Sequence, residues 1–500
     1  MIELDGEGLT LDELVLVSLG EGCALHPEAR ERTVRGREAL ESILESGEVA
    51  YGINTGVGDF QNVVIPREDL LRLQRNLLRS TASGAGEPLD RETVRTMLAL
   101  RANALCKGLS GVRVEVVETL VQMLNRGVVP LVPSKGSVGS SGDLAPLAYI
   151  GLVMMGEGQA FLDGDLLPGG EAMDRAGVPV LEPKEKEGLA LINGTQLMVA
   201  QGALALHSSL TLLKAAQVAL AMSLEALMGT DAAFDDRLVS SRPHPGQVKV
   251  AANLRSLLEG SEIVCSHRDC PRVQDPYTLR CGPQVLGAVR DSMHRAKETL
   301  EVEMNSATDN PLIIDGHGIS GGNFHGEPVG MVLDHLALAI NELAAYSERR
   351  TARLVDGKLS GLPPFLAREE GVDSGMMIPQ YLAASLVSEN LMLSSPGTAH
   401  SLPTSANQED FNSMGSVASA RLGRMVWNAE RVVAVEMMVA AQALELRDHS
   451  PGRGTRIAHR FIREGVDPLV EDRPLGGEVE WIASHLSQLV ARVESEVSLD

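Results

Sequence analysis

Residues 196–229 read QLMVAQGALALHSSLTLLKAAQVALAMSLEALMG, an apolar stretch of helical length without proline. Ala, Leu and Met dominate it, and its apolar side chains recur with the spacing of an α-helix. It is long enough to cross a bilayer. It is interrupted, however, by the strongly polar residues Gln201, His207, Lys214, Gln217 and Glu225. We therefore predict a long helix buried inside the protein rather than a membrane span.

The composition of the chain extends this helical prediction to a bundle. Helices with the same recurrence are expected over 193–228, 328–354 and 417–446. Hydrophobic residues make up 44 % of the 500 residues but aromatic residues only 3 %, which favours helix packing over a β-rich core. The first third is studded with glycine. We predict an N-terminal domain over 1–190 and a helical bundle over 191–500 with a charged C-terminal helical appendage. The boundary is expected in a solvated stretch at 182–188.

Charge and cysteine content exclude several classes of function. The net charge is −23, and no basic run is present to bind nucleic acid. The five cysteines are scattered, which predicts reduced thiols rather than a disulfide framework. The acidic first residues contain no apolar core of a signal peptide. We expect a cytoplasmic protein that acts on a small molecule and binds no nucleic acid or membrane.

The most unusual segment is residues 133–147, PSKGSVGSSGDLAPL. It could form a flexible loop or an anion-binding nest, with Asp143 capping a helix that begins at Leu144. It is not a Walker A loop. A chemical interpretation is sharper: the unhindered amide of Gly142 can attack the carbonyl of Ser140 and close a five-membered ring. Loss of two waters, the second from Ser141, leaves a conjugated methylidene, an electrophile that the twenty side chains do not supply.

The segment GSVGSSGDLAPLAYIG resembles the signature of the histidine/phenylalanine ammonia-lyase family, whose members form 4-methylidene-imidazol-5-one (MIO) from Ala-Ser-Gly. Ser140 stands here where alanine is usual, which should leave ring formation intact. Further motifs follow in the family's order along nearly the whole chain: YGINTG (51–56), LQR (73–75), EGLALINGTQ (187–196), QDPYTLR (274–280), GGNFH (321–325) and SLPTSANQED (401–410).

The resemblance implies a mainly α-helical, fumarase/aspartase-like long-helix bundle that assembles as a homotetramer. Its MIO cofactor would form from Ser140, Ser141 and Gly142 without an added metal or nucleotide. Active sites in the family draw residues from more than one subunit, so a dissociated monomer is expected to be inactive.

Roles for individual residues follow from the resemblance and from the chemistry of ammonia elimination. Tyr51 matches the catalytic tyrosine and would take the β-proton, for which its pKa must fall well below about 10. Arg280 would hold the substrate carboxylate in its planar fork. Asn193 and Tyr277 would stabilise the MIO oxygen and the amine. The remaining residues expected to contact the substrate are Ser80, Thr81, Gln274, Phe324 and Glu409.

The substrate is less clearly indicated than the reaction. Ser80-Thr81 matches neither the Ser-His of histidine enzymes nor the pairs usual in tyrosine and phenylalanine enzymes. Phe411 follows the Gln-Glu-Asp motif where histidine enzymes have His, whereas Glu409 is the acidic residue of histidine enzymes. A carboxylate facing a phenyl ring is costly unless it is protonated or paired. We expect L-phenylalanine, converted to trans-cinnamate, slightly ahead of L-histidine, converted to trans-urocanate; a tyrosine ammonia-lyase is disfavoured.

Four other interpretations remain open at this point. Gly318-Ile-Ser-Gly-Gly322 fits the G-x-S-x-G pattern of serine hydrolases, although a β-hairpin explains it better. Cys265, His267 and Cys270 are loosely spaced as zinc ligands, and a solvated loop is favoured. A non-enzymatic helical scaffold would leave the glycine-rich third unexplained. An aminomutase of the same family shares the electrophile and cannot be separated from a lyase by sequence.

Overall fold

The protein is mainly α-helical, as predicted, in a computed structural model that describes residues 1–270 and 272–500. Within these residues the α-helices are α1 Leu11–Ser18, α2 Pro27–Ser46, α3 Leu70–Thr81, α4 Arg91–Leu105, α5 Val114–Asn125, α6 Leu144–Met154, α7 Gly169–Arg175, α8 Glu187–Ile192, α9 Gln196–Ala226, α10 Asp236–Ser240, α11 Pro245–Leu257, α12 Glu262–Ser266, α13 Tyr277–Arg280, α14 Gly282–Met304, α15 Glu327–Val355, α16 Gly357–Ser360, α17 Met377–Leu393, α18 Gly415–Leu444, α19 Arg453–Gly465, α20 Gly476–Ser484 and α21 Leu486–Glu494.

The strands are short and form four small sheets. Their bounds are β1 Ile2–Leu4, β2 Cys23–Leu25, β3 Ala85–Pro88, β4 Val129–Pro130, β5 Pro133–Lys135, β6 Gln159–Leu162, β7 Asp165–Pro168, β8 Leu312–Ile314 and β9 His317–Ile319. The pair β1–β2 is parallel, while β3–β5, β4–β6–β7 and β8–β9 are antiparallel. None of these sheets is large enough to organise a core, which is therefore built by helices.

The three predicted long helices are confirmed as α9, α15 and α18. Of these, α9 and α15 are long and apolar enough to cross a bilayer, but 67 % of the relevant window in each is buried inside the protein. Two of the polar residues that interrupt α9 have hydrogen-bond partners there. Gln217 accepts a hydrogen bond from Asn253 (2.9 Å), and Glu225 accepts one from the Gly452 amide (2.6 Å). Buried polar groups with partners are typical of a core helix.

The chain divides into two compact units, each made of three segments. The first unit comprises 1–207, 296–334 and 396–420, and the second comprises 208–295, 335–395 and 421–500. All nine strands lie in the first unit. This division is based on packing and differs from the predicted domains 1–190 and 191–500, which stay a prediction.

In the first unit, the predicted boundary segment is solvated only in part: Glu182 and Lys184 are exposed, whereas its last three residues are buried. Lys186 and Glu187 are fully enclosed. The Lys186 ammonium pairs with buried Asp309, and Glu187 accepts hydrogen bonds from the Arg113 guanidinium at 2.7 and 2.8 Å. The prediction of a solvated stretch was wrong for Lys186 and Glu187, because charge alone does not decide exposure and each of these two charges has an opposite partner.

The second unit also centres on a buried charge. The Glu436 carboxylate accepts hydrogen bonds from Ser223 (2.6 Å) and Ser347 (2.5 Å) and pairs with Arg350 at 2.5 Å. The side chains of Arg350 and Glu436 are completely buried. Because its partners saturate the carboxylate, the charge joins three long helices without leaving an uncompensated ion in the core.

Candidate active site

A cavity of about 580 Å³ lies within the first unit and collects most of the predicted site residues. Its walls are formed by segments that lie far apart in the sequence, so only folding brings them together. The predicted residues that line it are Tyr51, Thr81, Ser140, Ser141, Asn193, Phe324 and Glu409. Gly142 lies directly behind the wall, in the turn that Ser140 and Ser141 begin.

The turn at Gly142 explains why glycine stands there. Its φ is +78°, and a Cβ added to it would lie 2.1 Å from the carbonyl oxygen of Gly194. The same oxygen accepts a hydrogen bond from the amide of Asp143 at 2.6 Å. A side chain at 142 would therefore collide with fixed backbone, and the left-handed conformation adds to its cost.

Asp143 is not the helix cap that the sequence suggested. Helix α6 begins at Leu144 as predicted, but the Asp143 side chain turns inward. It accepts hydrogen bonds from the Ser137 hydroxyl (2.7 Å) and from the Met198 amide (3.0 Å). Burial raises the pKa of this carboxyl to about 6, against the opposing effect of those donors. Asp143 thus joins the turn to the start of α9 instead of closing the end of α6.

Asn193 is placed to act on the Ser141 carbonyl. It ends α8, is 2 % exposed, and its Nδ2 donates a hydrogen bond to the Ser141 carbonyl oxygen at 2.7 Å. Its Oδ1 is buried without a hydrogen-bond partner among the described residues. A buried amide donor fixed on a carbonyl oxygen is the arrangement of an oxyanion hole.

Glu409 faces Ser141 from the opposite side. The Ser141 hydroxyl donates to Glu409 Oε1 at 3.2 Å, and the Thr404 hydroxyl donates to Glu409 Oε2 at 2.7 Å. A backbone bridge between Thr404 and Glu409 holds the loop that carries the carboxylate. The carboxylate is therefore oriented by its own loop and points into the cavity.

Tyr51 lies in the cavity wall with its hydroxyl held by backbone. The amide of Gly58 donates to the Tyr51 hydroxyl oxygen at 3.1 Å. Burial raises the pKa of the phenol, the Gly58 hydrogen bond lowers it in part, and the nearby Glu409 charge raises it further. The groups within this chain therefore do not produce the lowered pKa that Tyr51 needs as a base. Activation of Tyr51 as a base needs a cation, or a donor to its oxygen, from beyond them.

The rest of the cavity wall combines apolar and polar side chains, and two aromatic rings stack at one point in it. Its apolar side chains are Val57, Leu77, Leu144, Leu189, Ile192, Phe324 and Phe411. The rings of His325 and Phe411 stack with centroids 6.2 Å apart, and His325 Nε2 lies 3.1 Å from the Phe411 carbonyl oxygen. Thr81 ends α3 in this wall, whereas Ser80 is exposed and does not line the cavity. The sequence predictions did not include His325 among the site residues, although it is the last residue of the motif GGNFH.

Besides Ser80 and Gly142, three further predicted site residues do not line the cavity. Gln274, Tyr277 and Arg280 belong to the second unit and do not line it. Tyr277 is 69 % exposed, and the Arg280 guanidinium lies 4.8 Å from the centre of its ring. The Tyr346 hydroxyl donates to the Tyr277 carbonyl at 2.9 Å, which fixes this segment within its unit.

The competing motifs acquire ordinary structural explanations. Gly318 lies in the hairpin β8–β9, Ser320 follows it, and the next helix does not begin until Glu327, so the strand–turn–helix of a nucleophile elbow is missing from this part of the structure. The two ring nitrogens of His267 lie 2.7 and 3.0 Å from backbone carbonyl oxygens. Among the described residues, no group of three or more His, Cys, Asp or Glu side chains could hold a metal ion.

Comparison with known proteins gives a consistent picture. The family model described as aromatic amino acid lyase matches residues 9–464. A histidine ammonia-lyase from Caldanaerobacter subterraneus subsp. tengcongensis is 51 % identical over 478 residues, covering 95 % of this chain and 94 % of the relative. The crystal structure of histidine ammonia-lyase from Trypanosoma cruzi is 38 % identical with a TM-score of 0.92, covering 99 % of this chain and 96 % of that one.

A second solved structure is equally similar in fold. The tyrosine aminomutase from Streptomyces globisporus has a TM-score of 0.95 at 32 % identity, with both chains covered completely. These matches extend over the cavity as well as the helices. The chain therefore belongs to the aromatic amino acid lyase family, and it is an ammonia-lyase.

Proposed function

We propose that this enzyme eliminates ammonia from L-histidine and releases trans-urocanate. The observation that carries the proposal is Glu409, whose carboxylate lies in the cavity 3.2 Å from the Ser141 hydroxyl. A fixed carboxylate is a good acceptor for the N–H of an imidazole and a poor neighbour for a phenyl ring. The half-identical relative named histidine ammonia-lyase supports the same choice. The slight preference for phenylalanine in the sequence analysis is therefore the less supported alternative.

The residues at the turn fit the MIO group that this family uses. Gly142 has the free backbone space that attack on the Ser140 carbonyl requires, and Asn193 already contacts the oxygen that would become the carbonyl of the ring. Once formed, MIO supplies an electrophilic carbon for the amino group of the substrate. Ser140, Ser141 and Gly142 would form it, and neither metal nor nucleotide is needed.

The other residues of the cavity bind and orient the substrate in this proposal. Glu409 accepts the imidazole N–H, and Phe324 packs against the ring. Tyr51 takes the proton from the β-carbon, at the hydroxyl that the Gly58 amide orients. The apolar side chains Leu144, Leu189 and Ile192 would limit the access of water to the reacting atoms, which strengthens the polar contacts made there.

We infer further that the enzyme is a cytoplasmic homotetramer whose sites are completed by other subunits. Among the described residues that line the cavity, none is an Arg or Lys that could bind the substrate carboxylate. Gln274, Tyr277 and Arg280 lie in the second unit and would reach the cavity of a neighbouring copy. Large apolar side chains exposed on α17 give such copies a surface to bury: Ile378, Tyr381, Leu391 and Met392.

The substrate test compares kcat/KM for histidine, phenylalanine and tyrosine. Each reaction is monitored through the near-ultraviolet absorbance of its acrylate product. Ser141→Ala should abolish turnover with the fold unchanged. Glu409→Gln keeps the shape and removes the charge, so it should lower kcat/KM for histidine about 10- to 100-fold, the value of a hydrogen bond to a charged group. It should leave phenylalanine almost unaffected. An unchanged ratio between the two substrates would refute the role of Glu409.

Two further outcomes distinguish the alternatives. Thr81→His should raise the preference for histidine, because it adds an imidazole partner to the apolar wall. Accumulation of a β-amino acid instead of an acrylate would identify an aminomutase, the activity named for the Streptomyces globisporus relative.

A further inference from the structure

A cation that none of the assigned roles uses is buried behind the turn. Arg101, on α4, is completely buried and is among the largest enclosed side chains of the protein. Its Nη1 donates to the Asn193 carbonyl oxygen at 2.8 Å and to Gln196 Oε1 at 3.1 Å. Its Nε and Nη2 are buried without a hydrogen-bond partner among the described residues. A guanidinium enclosed in this way is costly, and an apolar side chain of similar volume would fill the space at lower cost.

The contacts of Arg101 end on the residue that controls Ser141. The same Asn193 whose carbonyl binds Arg101 donates its Nδ2 to the Ser141 carbonyl oxygen at 2.7 Å. The next residue, Gly194, packs tightly against the guanidinium: a Cβ added to Gly194 would lie 2.5 Å from Arg101 Nη1. The guanidinium therefore lies directly against the Asn193–Gly194 backbone and fixes the position from which the Asn193 amide acts.

Among the described residues, no carboxylate accepts a hydrogen bond from the Arg101 guanidinium. Lys186 and Asp309, both fully buried, pair with each other close to Arg101. Two cations thus stand against one carboxylate in this cluster. Burial lowers the pKa of Arg101 to about 10, with Asp309 opposing, so the guanidinium remains protonated at neutral pH. Arg101 thus places a positive charge against the backbone of Asn193, the residue whose side chain contacts the Ser141 carbonyl oxygen.

Formation of the electrophile places negative charge on one atom, the Ser141 carbonyl oxygen. The Gly142 nitrogen bonds to the Ser140 carbonyl carbon, and the Ser140 oxygen leaves as water with the amide hydrogens of Ser141 and Gly142. The second water takes the Ser141 hydroxyl and the proton on its Cα. Removal of that Cα proton moves an electron pair onto the Ser141 carbonyl oxygen, where a held donor and a nearby cation stabilise it.

We propose that Arg101 is a positioning residue for formation of the electrophile: it holds Asn193 on the Ser141 carbonyl oxygen and supplies positive charge behind it. This inference rests on the proposed MIO chemistry. It assigns a function to a buried arginine that makes no contact with the substrate cavity.

The test measures the intact mass of purified full-length variants. The wild-type mass should be lower than the mass calculated from the sequence by two waters, whereas most molecules of Arg101→Met should have the full calculated mass. Arg101→Lys keeps the charge but not the fork, so it should lose both waters and show about a tenfold lower kcat at unchanged KM, as expected for a donor displaced by less than an ångström. A folded Arg101→Met variant with the full mass deficit would overturn the proposal. So would Arg101→Lys with the wild-type kcat, which decides the matter if Arg101→Met does not fold.

Arg95 provides the matched control. It lies on the same helix, is 3 % exposed, and donates to the backbone carbonyls of Val17, Leu124 and Glu21 at 2.9–3.1 Å, away from the turn. Arg95→Met should lower the unfolding midpoint but keep the mass deficit. If Arg95→Met also retained the two waters, the retained waters in Arg101→Met would reflect only lost stability, and the proposal would fail. A wild-type chain with both waters would instead refute the MIO chemistry itself.

Discussion

Substitution of Gly142 by alanine should separate the cost of an unusual backbone angle from the cost of crowding at the turn. Gly142 has φ +78°, and an added Cβ would meet the carbonyl oxygen of Gly194 at 2.1 Å and its carbonyl carbon at 2.4 Å. Gly127 has nearly the same φ, +74°, but nothing lies within 4 Å of an added Cβ. The two positions therefore differ in surroundings and not in conformation.

The magnitudes follow from that difference. At either position an L-residue in the left-handed region costs about 1–2 kcal/mol. At Gly142 the methyl group must also displace backbone that cannot rotate away, which adds about 3 kcal/mol, at the upper end for overpacking. Gly142→Ala should thus lower the free energy of unfolding by about 4 kcal/mol, and Gly127→Ala by less than half as much.

The assay combines urea unfolding followed by circular dichroism with intact mass. Gly127→Ala should keep the two-water deficit and full activity. Gly142→Ala should lose both, because the methyl group blocks the amide that attacks Ser140. If the two variants unfolded at the same urea concentration, or if Gly142→Ala carried the complete deficit, the assigned geometry of the turn would be wrong.

Three further predictions concern the residues around the turn. Tyr51→Phe should keep the two-water deficit while turnover falls about 10³-fold, as for loss of a general base; mass and kinetics on one sample check this, and wild-type turnover would exclude Tyr51 as the base. For Asp143 the raised pKa favours the protonated form in the folded state, so its stabilisation is present below about pH 4 and is lost as pH rises through about 6. Between about pH 4 and about pH 7, the free energy of unfolding of wild type should therefore fall by about 3 kcal/mol more than that of Asp143→Asn, which corresponds to two pKa units. Urea unfolding at a series of pH values measures this difference, and parallel pH profiles of the two proteins would contradict the assignment. Tyr51→Phe and Arg280→Met, each inactive alone, should regain activity when refolded together, because hybrid oligomers contain sites with both residues intact; no recovery in a mixed oligomer would place Arg280 and Tyr51 in the same copy's site.

Local sequence was sufficient for the helices and for the reactive tripeptide. The periodicity of 196–229 depends only on neighbours three and four residues apart, so α9 could be predicted to within a few residues at each end. The order Ser140-Ser141-Gly142 carries its chemistry in adjacent atoms, which makes it legible without a fold. Charge in a stretch such as 182–188, in contrast, says nothing about exposure when the partners lie far away in sequence.

The assembly of the site was decided by tertiary structure alone. Sequence motifs identified Tyr51, Asn193 and Glu409 as site residues, but the cavity that joins them depends on packing among distant segments. The pKa of Tyr51 is raised, whereas a catalytic base needs a lowered one, because burial outweighs its one hydrogen bond. Arg101 carries no local signal, since a charged residue on a helix normally faces solvent. Composition and periodicity thus determined what the chain is made of. Which charges are buried, and which carbonyl they act on, depends on desolvation and distance, and those are properties only of the folded state.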